Sequence, residues 1–176
     1  PSPLCEGKMV LGYAGKILRV HLSANQTSEE DLDELVAYNF IGGRGYGAWI
    51  IHEEVDPKTD PLGEKNKLVF MTGPVTGTGF PGSGRTAVCS KSPLTGTIFD
   101  CSMGGSFGAY LKFAGFDGII LDGRARALVY LLIEDGNCRF VDGGGLWGKA
   151  TTQTEMELRK RHPGSIAAVI GPAGEN

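Results

Sequence analysis

The sequence has little of what marks a nucleic-acid-binding or membrane protein. Its 176 residues carry 17 lysines and arginines against 20 acidic residues, a net charge of -3, with no basic stripe. This balance argues against nucleic acid and anionic membranes as partners. No apolar run approaches the ~20 residues that a membrane-spanning helix needs. The amino terminus also lacks the form of a signal peptide, so we expect a soluble, cytoplasmic protein.

Cysteine and histidine are also scarce. The four cysteines, Cys5, Cys89, Cys101 and Cys138, form no CxxC pair, so the spacing of zinc and iron-sulfur sites is absent. The three histidines have no spaced partner that would indicate a metal site or a catalytic triad. We expect reduced, buried cysteines, with a ligand-facing position as the alternative for Cys101.

Glycine is abundant instead, and residues 71–108 concentrate it together with serine, threonine and one arginine, Arg85. Glycine admits positive φ and lets a ligand approach the backbone, while a guanidinium offers five donors to a phosphate or a pterin-like ring edge. The alternative is a loop-rich β domain whose glycines only form turns. Neither GxxxxGK[ST] nor GxGxxG after a strand occurs, which disfavours a nucleotide site.

The first half of the chain predicts strands and helices in alternation. Period-two alternation in residues 15–22 indicates a strand. Apolar spacing then predicts a helix with Ser28 as N-cap that ends at Gly42, followed by a second short helix. Residues 67–71 are typical of a short buried strand that leads into the glycine-rich segment.

The second half repeats this order. A hairpin at Asp135-Gly136, a helix and a closing strand follow one another, and the order strand, turn, helix, strand and Gly-Pro occurs in residues 15–76 and again in 127–173. The Gly-Pro pairs at 73–74 and 171–172 coincide. We infer an internal duplication, the alternative being that α+β chains share such an order by chance.

Long motifs in chain order, among them FIGGRGYGA, KLVFMTGPVTGTGFPGSGR and GGSFGAYLKFAGFDGIIL, resemble the amino-terminal domain of the tungsten-containing aldehyde ferredoxin oxidoreductases. The resemblance covers residues 11–176, and residues 1–10 are assigned as a leader or tag of uncertain origin. It implies an α+β domain of two mixed or antiparallel sheets with short helices, related by an internal pseudo-twofold. The second repeat is expected to be incomplete here, with its half-site beyond Asn176.

The resemblance also implies how this domain holds a bis-pterin tungsten or molybdenum cofactor. Arg85 closes the GSGR string and matches a family arginine that contacts the pterin. The family's Asn-Ser-Gly-Gly turn begins at Ser102, where a backbone carbonyl binds a magnesium ion that bridges the pterin phosphates. Gly104 and Gly105 are the glycines whose amides approach the pterin. Serine replaces the usual asparagine at position 102, which keeps the carbonyl and loses the amide side chain.

Other charged residues are weaker candidates. Arg44 lies in a Gly-Gly-Arg-Gly string and is a further cofactor contact, with a helix-capping surface arginine as the alternative. Lys91 either supplies charge to a phosphate or faces solvent. Asp100 and Asp117 have no acid-base partner in sequence, and we expect them in turns.

The resemblance implies that the full-length protein oxidises an aldehyde with water to a carboxylic acid. Electrons would pass through a four-iron four-sulfur cluster to ferredoxin. The cluster and the proton-transfer residues belong to later domains, so we expect no catalytic residue here and an inactive isolated segment. The alternatives are a family member acting on another substrate, such as an aromatic thioester, and a free-standing pterin- or phosphate-binding or assembly module. A homodimer, the metal and the substrate stay open.

Overall fold

A computed structural model describes residues 11–175, so Cys5 and the leader at 1–10 lie outside the described residues. Within residues 11–175, eight strands form two sheets. They are β1 Lys16–His21, β2 Gln26–Asp31, β3 Lys67–Met71, β4 Thr86–Lys91, β5 Ile98–Met103, β6 Gly118–Asp122, β7 Val129–Glu134 and β8 Asn137–Asp142. The larger sheet has the order β2-β1-β6-β3-β4-β5, and β7 pairs with β8. Only β1 and β6 are parallel neighbours; the other pairs are antiparallel.

Short helices connect and cover these strands. They are α1 Glu34–Phe40, α2 Gly43–Glu54, α3 Phe107–Phe113, α4 Thr151–Arg161 and α5 Pro172–Glu175, with a 3-10 turn over Gly144–Leu146. The predicted α+β class of two mixed or antiparallel sheets with short helices is therefore confirmed: the larger sheet is mixed and the smaller one antiparallel. No helix among residues 11–175 has the length and apolar character needed to cross a membrane.

Alternation along the strands divides the apolar side chains between two cores. On one face of the large sheet, residues such as Ile17, Val69 and Ile120 pack against Tyr46 and Ile50 of α2. The other face holds a second cluster, in which α3 and the β7–β8 hairpin cover the sheet; its members include Leu18, Val20, Leu111, Phe116 and Ile119. The sheet is thus buried on both faces over its central strands, while β2 and β5 are its edges.

The predicted helix start at Ser28 is wrong. Ser28 lies in β2, opposite Arg19 of β1, and every residue of β2 is exposed. The helix begins later at Glu34, because the Asp33 side chain accepts hydrogen bonds from the amides of the next turn. The acidic run that resembled a helical first turn instead pairs with basic side chains of β1, among them Arg19 with Glu30.

The glycine-rich segment contains β4 and β5, which complete one side of the large sheet. A further expectation differs from the structure. The predicted strand at 165–170 joins neither sheet, although the hairpin, helix and Gly-Pro order does recur. The helix in this half, α4, follows Ala150 as its N-cap residue. The pseudo-twofold relation stays a prediction.

Candidate functional site

A concavity of about 420 Å³ lies where β3 ends and β4 begins, on the α2 face of the sheet. Three stretches form it: the residues that lead into α2, the loop after β3, and the adjoining ends of β4 and β5. Its lining residues include residues 41–44, Gly73, Arg85, Asp100 and Ser102. We call this feature the concave site.

Three of the predicted site residues, Arg44, Arg85 and Ser102, come together in the concave site. Gly104 lies beside it, since a Cβ added there would be 3.5 Å from Nη1 of Arg85. Gly105 has a φ of +82° and open space around its missing Cβ, so a turn conformation is what requires glycine there. Backbone contact with a ligand stays a prediction for both glycines.

The concave site has more cationic than anionic groups. The exposed side chain of Arg85 has no ion pair or hydrogen bond with any of residues 11–175. Arg44 has one distant acidic neighbour, with 3.8 Å between its Nη1 and Oδ1 of Asp100, and its side chain is 75% exposed. Two guanidinium groups thus face solvent with one carboxylate near them, an arrangement suited to an anion.

The start of α2 adds to this cationic character. Its N-cap residue is Gly42, which offers no side-chain cap, and no acidic residue lies in the first turn. The positive end of the helix dipole therefore points to the concave site without an internal counter-charge. A Cβ on Gly42 would lie 2.6 Å from the carbonyl oxygen of Thr72, so glycine permits the close approach of α2 to the end of β3.

The backbone next to this helix start is strained. Ile41 has φ +65° and ψ -62°, and the Gly42 amide donates a 2.7 Å hydrogen bond to the carbonyl of Phe40. These values describe a γ-turn of the rare, strained kind, adopted here by a β-branched residue. Strain of this type persists only where surrounding contacts hold it, and it clusters at functional sites.

Sequence reasoning missed the position of Asp100. The expectation of a turn is wrong, because Asp100 lies within β5 and lines the concave site. Alternation along β5 places Asp100 and Ser102 on one face and Cys101 on the other. Recognising β5 as a strand would have been the signal for this pairing.

The expectation of buried cysteines is confirmed for Cys89 and wrong for Cys101, and Lys91 has neither of its two expected positions. Cys89 is buried, and burial raises the pKa of its thiol to about 11. Cys101 is exposed, so the expectation of a core position is wrong for it. Lys91 neither lines the concave site nor faces solvent: it is buried and donates to the carbonyls of Pro57 and Thr59, at 2.6 and 2.7 Å. The described part of the chain holds no group of three His, Cys, Asp or Glu side chains arranged for a metal ion.

Comparison with protein families assigns the chain to a known family. A family described as "Aldehyde ferredoxin oxidoreductase, N-terminal domain" matches residues 17–176. The chain belongs to this family. Among its relatives, the tungsten-containing aldehyde ferredoxin oxidoreductase of Pyrococcus abyssi is 47% identical over 169 residues, which is 95% of this chain and 28% of that protein. An aliphatic sulfonate oxidoreductase, WOR-like subunit, of Pyrococcus furiosus is 36% identical and is covered to 29%.

Solved structures agree with this membership. The active site complex BamBC of benzoyl coenzyme A reductase, in complex with 1,5-dienoyl-CoA, superimposes with a TM-score of 0.92 at 34% sequence identity. The match covers 96% of this chain and 26% of that one. This member of the aldehyde ferredoxin oxidoreductase family therefore spans less than a third of the length of the relatives it matches.

Proposed function

We propose that this domain forms one wall of the site for a bis-pterin tungsten or molybdenum cofactor. The observation that carries the proposal is Arg85, a guanidinium without an ion-pair or hydrogen-bond partner among residues 11–175, which lies beside Gly104 in a cationic concavity. A flat ligand with phosphate groups needs both a cation and close access to the backbone. The described residues fit those needs.

Each residue has a defined part in the proposed complex. Arg85 and Arg44 neutralise the phosphates of the cofactor, and the start of α2 contributes the positive end of its dipole. Gly104 and Gly105 let the ligand approach the main chain, and the backbone carbonyl of Ser102 binds the magnesium ion. When bound, the cofactor supplies the redox chemistry, while this domain holds and orients it.

The full-length protein is proposed to be an oxidoreductase that converts an aldehyde and water to a carboxylic acid and passes electrons to ferredoxin. The names of the relatives at 42–47% identity support this reaction. A four-iron four-sulfur cluster, a cytoplasmic location and a homodimer belong to the same proposal. The isolated domain is expected to be inactive.

A second candidate reaction is the reduction of an aromatic thioester. The likeness to a benzoyl coenzyme A reductase complex, at 34% identity over 96% of this chain, favours it. A free-standing pterin-binding or assembly module is the third possibility, and the length of the native reading frame decides it. The same concave site would serve in all three cases.

Metal content tests the cofactor proposal. The full-length protein is purified without oxygen from cells supplied with both tungstate and molybdate, and its tungsten, molybdenum, magnesium and pterin are quantified. We expect one of the two metals together with pterin and magnesium. A folded protein with neither metal and no pterin, from cells that load a known tungsten enzyme, would refute the proposal.

A substrate panel then separates the two reactions. The loaded protein is offered a series of aldehydes with an oxidised viologen as acceptor, and aromatic acyl-CoA thioesters with a reduced viologen as donor. Viologen reduction by aldehydes alone supports the aldehyde reaction. Oxidation of the reduced dye by thioesters alone assigns the second reaction instead.

A further inference from the structure

A partly buried cluster beside the concave site joins two of the three stretches that form it. These are the residues that lead into α2 and the loop after β3, which we call the two rims. The members of the cluster are Tyr13, Lys112 and Asp117, and we call it the Lys112 cluster. The side chain of Lys112 is only 10% exposed and that of Asp117 is fully buried, with 3.6 Å between Nζ and Oδ1. None of the three lines the concave site.

The ammonium group of Lys112 holds the rim formed by the loop after β3. It donates hydrogen bonds to the carbonyls of Gly73 and Pro74, at 3.1 and 3.3 Å, and to that of Gly12. Burial lowers the pKa of Lys112, and Asp117 opposes that shift. A largely buried ammonium group depends on the carbonyls to which it donates, because water does not replace them there. Lys112 therefore fixes the loop after β3.

The phenol of Tyr13 holds the opposite rim. Its hydroxyl donates to the carbonyl of Ile41, the residue with the strained γ-turn conformation that precedes α2. The same ring lies under the Lys112 ammonium, with 5.7 Å between Nζ and the ring centroid. The Lys112 ammonium therefore contacts both the ring that supports the strained turn at Ile41 and the loop after β3.

Asp117 anchors the cluster to the sheet. Its two carboxylate oxygens accept the amides of Ala14 and Gly15 at 3.0 and 2.7 Å, which fixes the segment that carries Tyr13. Its carbonyl accepts both the amide and the hydroxyl of Thr72, immediately before the Gly73 loop. Apart from its own amide, which donates to the carbonyl of Lys16 in β1 at 2.7 Å, the hydrogen bonds of Asp117 lead to one rim or the other.

We infer that Lys112 and Tyr13 are positioning residues, which set the separation of the two rims of the concave site and so the fit of an anionic cofactor. The inference rests on the proposed function, because the cofactor is the ligand to be fitted. Neither residue touches the ligand: Lys112 acts through the Gly73 loop, and Tyr13 acts through Ile41 and the start of α2.

Two pairs of variants in the full-length protein test this inference, each with a matched control. Lys112→Met is compared with Lys91→Met, because Lys91 is also a buried lysine that donates to main-chain carbonyls, two of them, at the far end of β4. Tyr13→Phe is compared with Tyr38→Phe, because Tyr38 is exposed on α1. The measurements are the rate of tungsten or molybdenum loss during dialysis and the hydrogen exchange of amides 41–45 and of amides 73, 75 and 76.

We expect Lys112→Met to lose metal about tenfold faster than Lys91→Met, which is the effect of removing a residue that supports a binding group. Both lysine variants lower the melting temperature, so stability alone does not separate them. Tyr13→Phe leaves the fold intact, speeds exchange of amides 41–45, and loses metal faster than Tyr38→Phe. This variant decides the question if Lys112→Met does not fold.

Two results are kept apart by this design. A wild-type protein without tungsten, molybdenum or pterin removes the proposed function. A wild-type protein that is loaded, with Tyr13→Phe and any folded Lys112→Met equal to their controls in metal loss and in rim exchange, overturns the positioning role alone.

Discussion

The two ends of the six-stranded sheet differ in how their basic side chains are paired. At the end where α2 stops, Arg19 forms a bidentate contact with Glu54, at 2.6 and 2.8 Å, and also binds Glu30. Lys67 continues the series with contacts to Glu54 at 3.4 Å and to Asp122 at 3.0 Å. At the end where α2 starts, Arg85 has no partner among the described residues.

The ion pairs at the end where α2 stops lower the pKa values of two carboxyl groups, those of Glu54 and Asp122. The hydrogen bond from Arg19 lowers the pKa of Glu54, although burial opposes it. Burial would raise the pKa of Asp122, and hydrogen bonds from His21 and Lys67 outweigh that effect and lower it. We infer from the contrast that one end is completed by its own side chains, while the other is built to receive an anion.

The largest effect is expected from breaking the paired end. Arg19→Met leaves Glu54 and Glu30 without their main partner, so we expect the free energy of unfolding to fall by about 2–3 kcal/mol. Hydrogen exchange of β1 and β6 amides in the full-length protein measures it. Arg159→Met, which removes an exposed i,i+4 pair with Glu155, is the control, with an expected loss of about 0.5 kcal/mol. Equal losses would show that the network contributes no more than a surface pair.

Arg85→Ala tests the unpaired end. Since the side chain of Arg85 has no ion pair or hydrogen bond with residues 11–175 to lose, we expect a stability change within about 0.5 kcal/mol. Cofactor binding should weaken by about 1.5–3 kcal/mol, because a charge-assisted contact is removed. Metal content per folded protein under limiting tungstate measures the change, and Arg126→Ala, at an exposed arginine outside the concave site, is the control. Equal metal content in the two variants would contradict the role of Arg85.

The pH dependence of stability sharpens the comparison. Glu54 and Asp122 have lowered pKa values in the folded state, so the unfolded chain binds protons first on acidification. Their contribution is therefore complete above about pH 5 and is lost as the pH falls through the folded pKa values. Exchange of β1 and β6 amides between pH 6 and 3 should show this loss. The slope should be shallower in Arg19→Met, and an unchanged slope would argue against Glu54 as its source.

The smallest effect is expected from Asp100→Asn. This variant removes the carboxylate near Arg44, so the concave site becomes more cationic. We expect cofactor binding to strengthen by about 0.5 kcal/mol, the scale of an exposed ion pair. Metal content under limiting tungstate is compared with that of Asp31→Asn, on the opposite edge strand β2. Lower metal content in Asp100→Asn would instead indicate that the carboxylate contacts the ligand.

Local patterns predicted several elements of this fold. Alternation located β1, and the Asp135-Gly136 turn located the β7–β8 hairpin. Patterns failed where pairing decided the outcome: residues 26–31 are polar throughout, yet they form β2 because β1 supplies hydrogen bonds and opposite charges. Strand formation of this kind depends on a neighbour more than on intrinsic preference.

The candidate site divides in the same way. Family motifs picked out Arg85 and Ser102, the string of glycines around Arg44 picked out that residue, and the structure places all three in one concavity. These motifs did not indicate a role for Asp100, because its role follows from the register of an edge strand. The motifs also did not indicate a role for Lys112, which lies between two apolar residues of a short helix. The three carbonyls to which Lys112 donates are 38 to 100 positions away in sequence.

By itself, the sequence determined the fold class, the family, and the glycines and arginines that make an anion site chemically feasible, since these follow from residue type and local order. Only the tertiary structure decided which arginines remain unpaired and which buried groups support the rims. The physical reason is that ion pairing and burial depend on distances between segments remote in sequence. Arg19 and Arg85 are the same residue type, and the presence of Glu54 within 3 Å of one of them makes the difference.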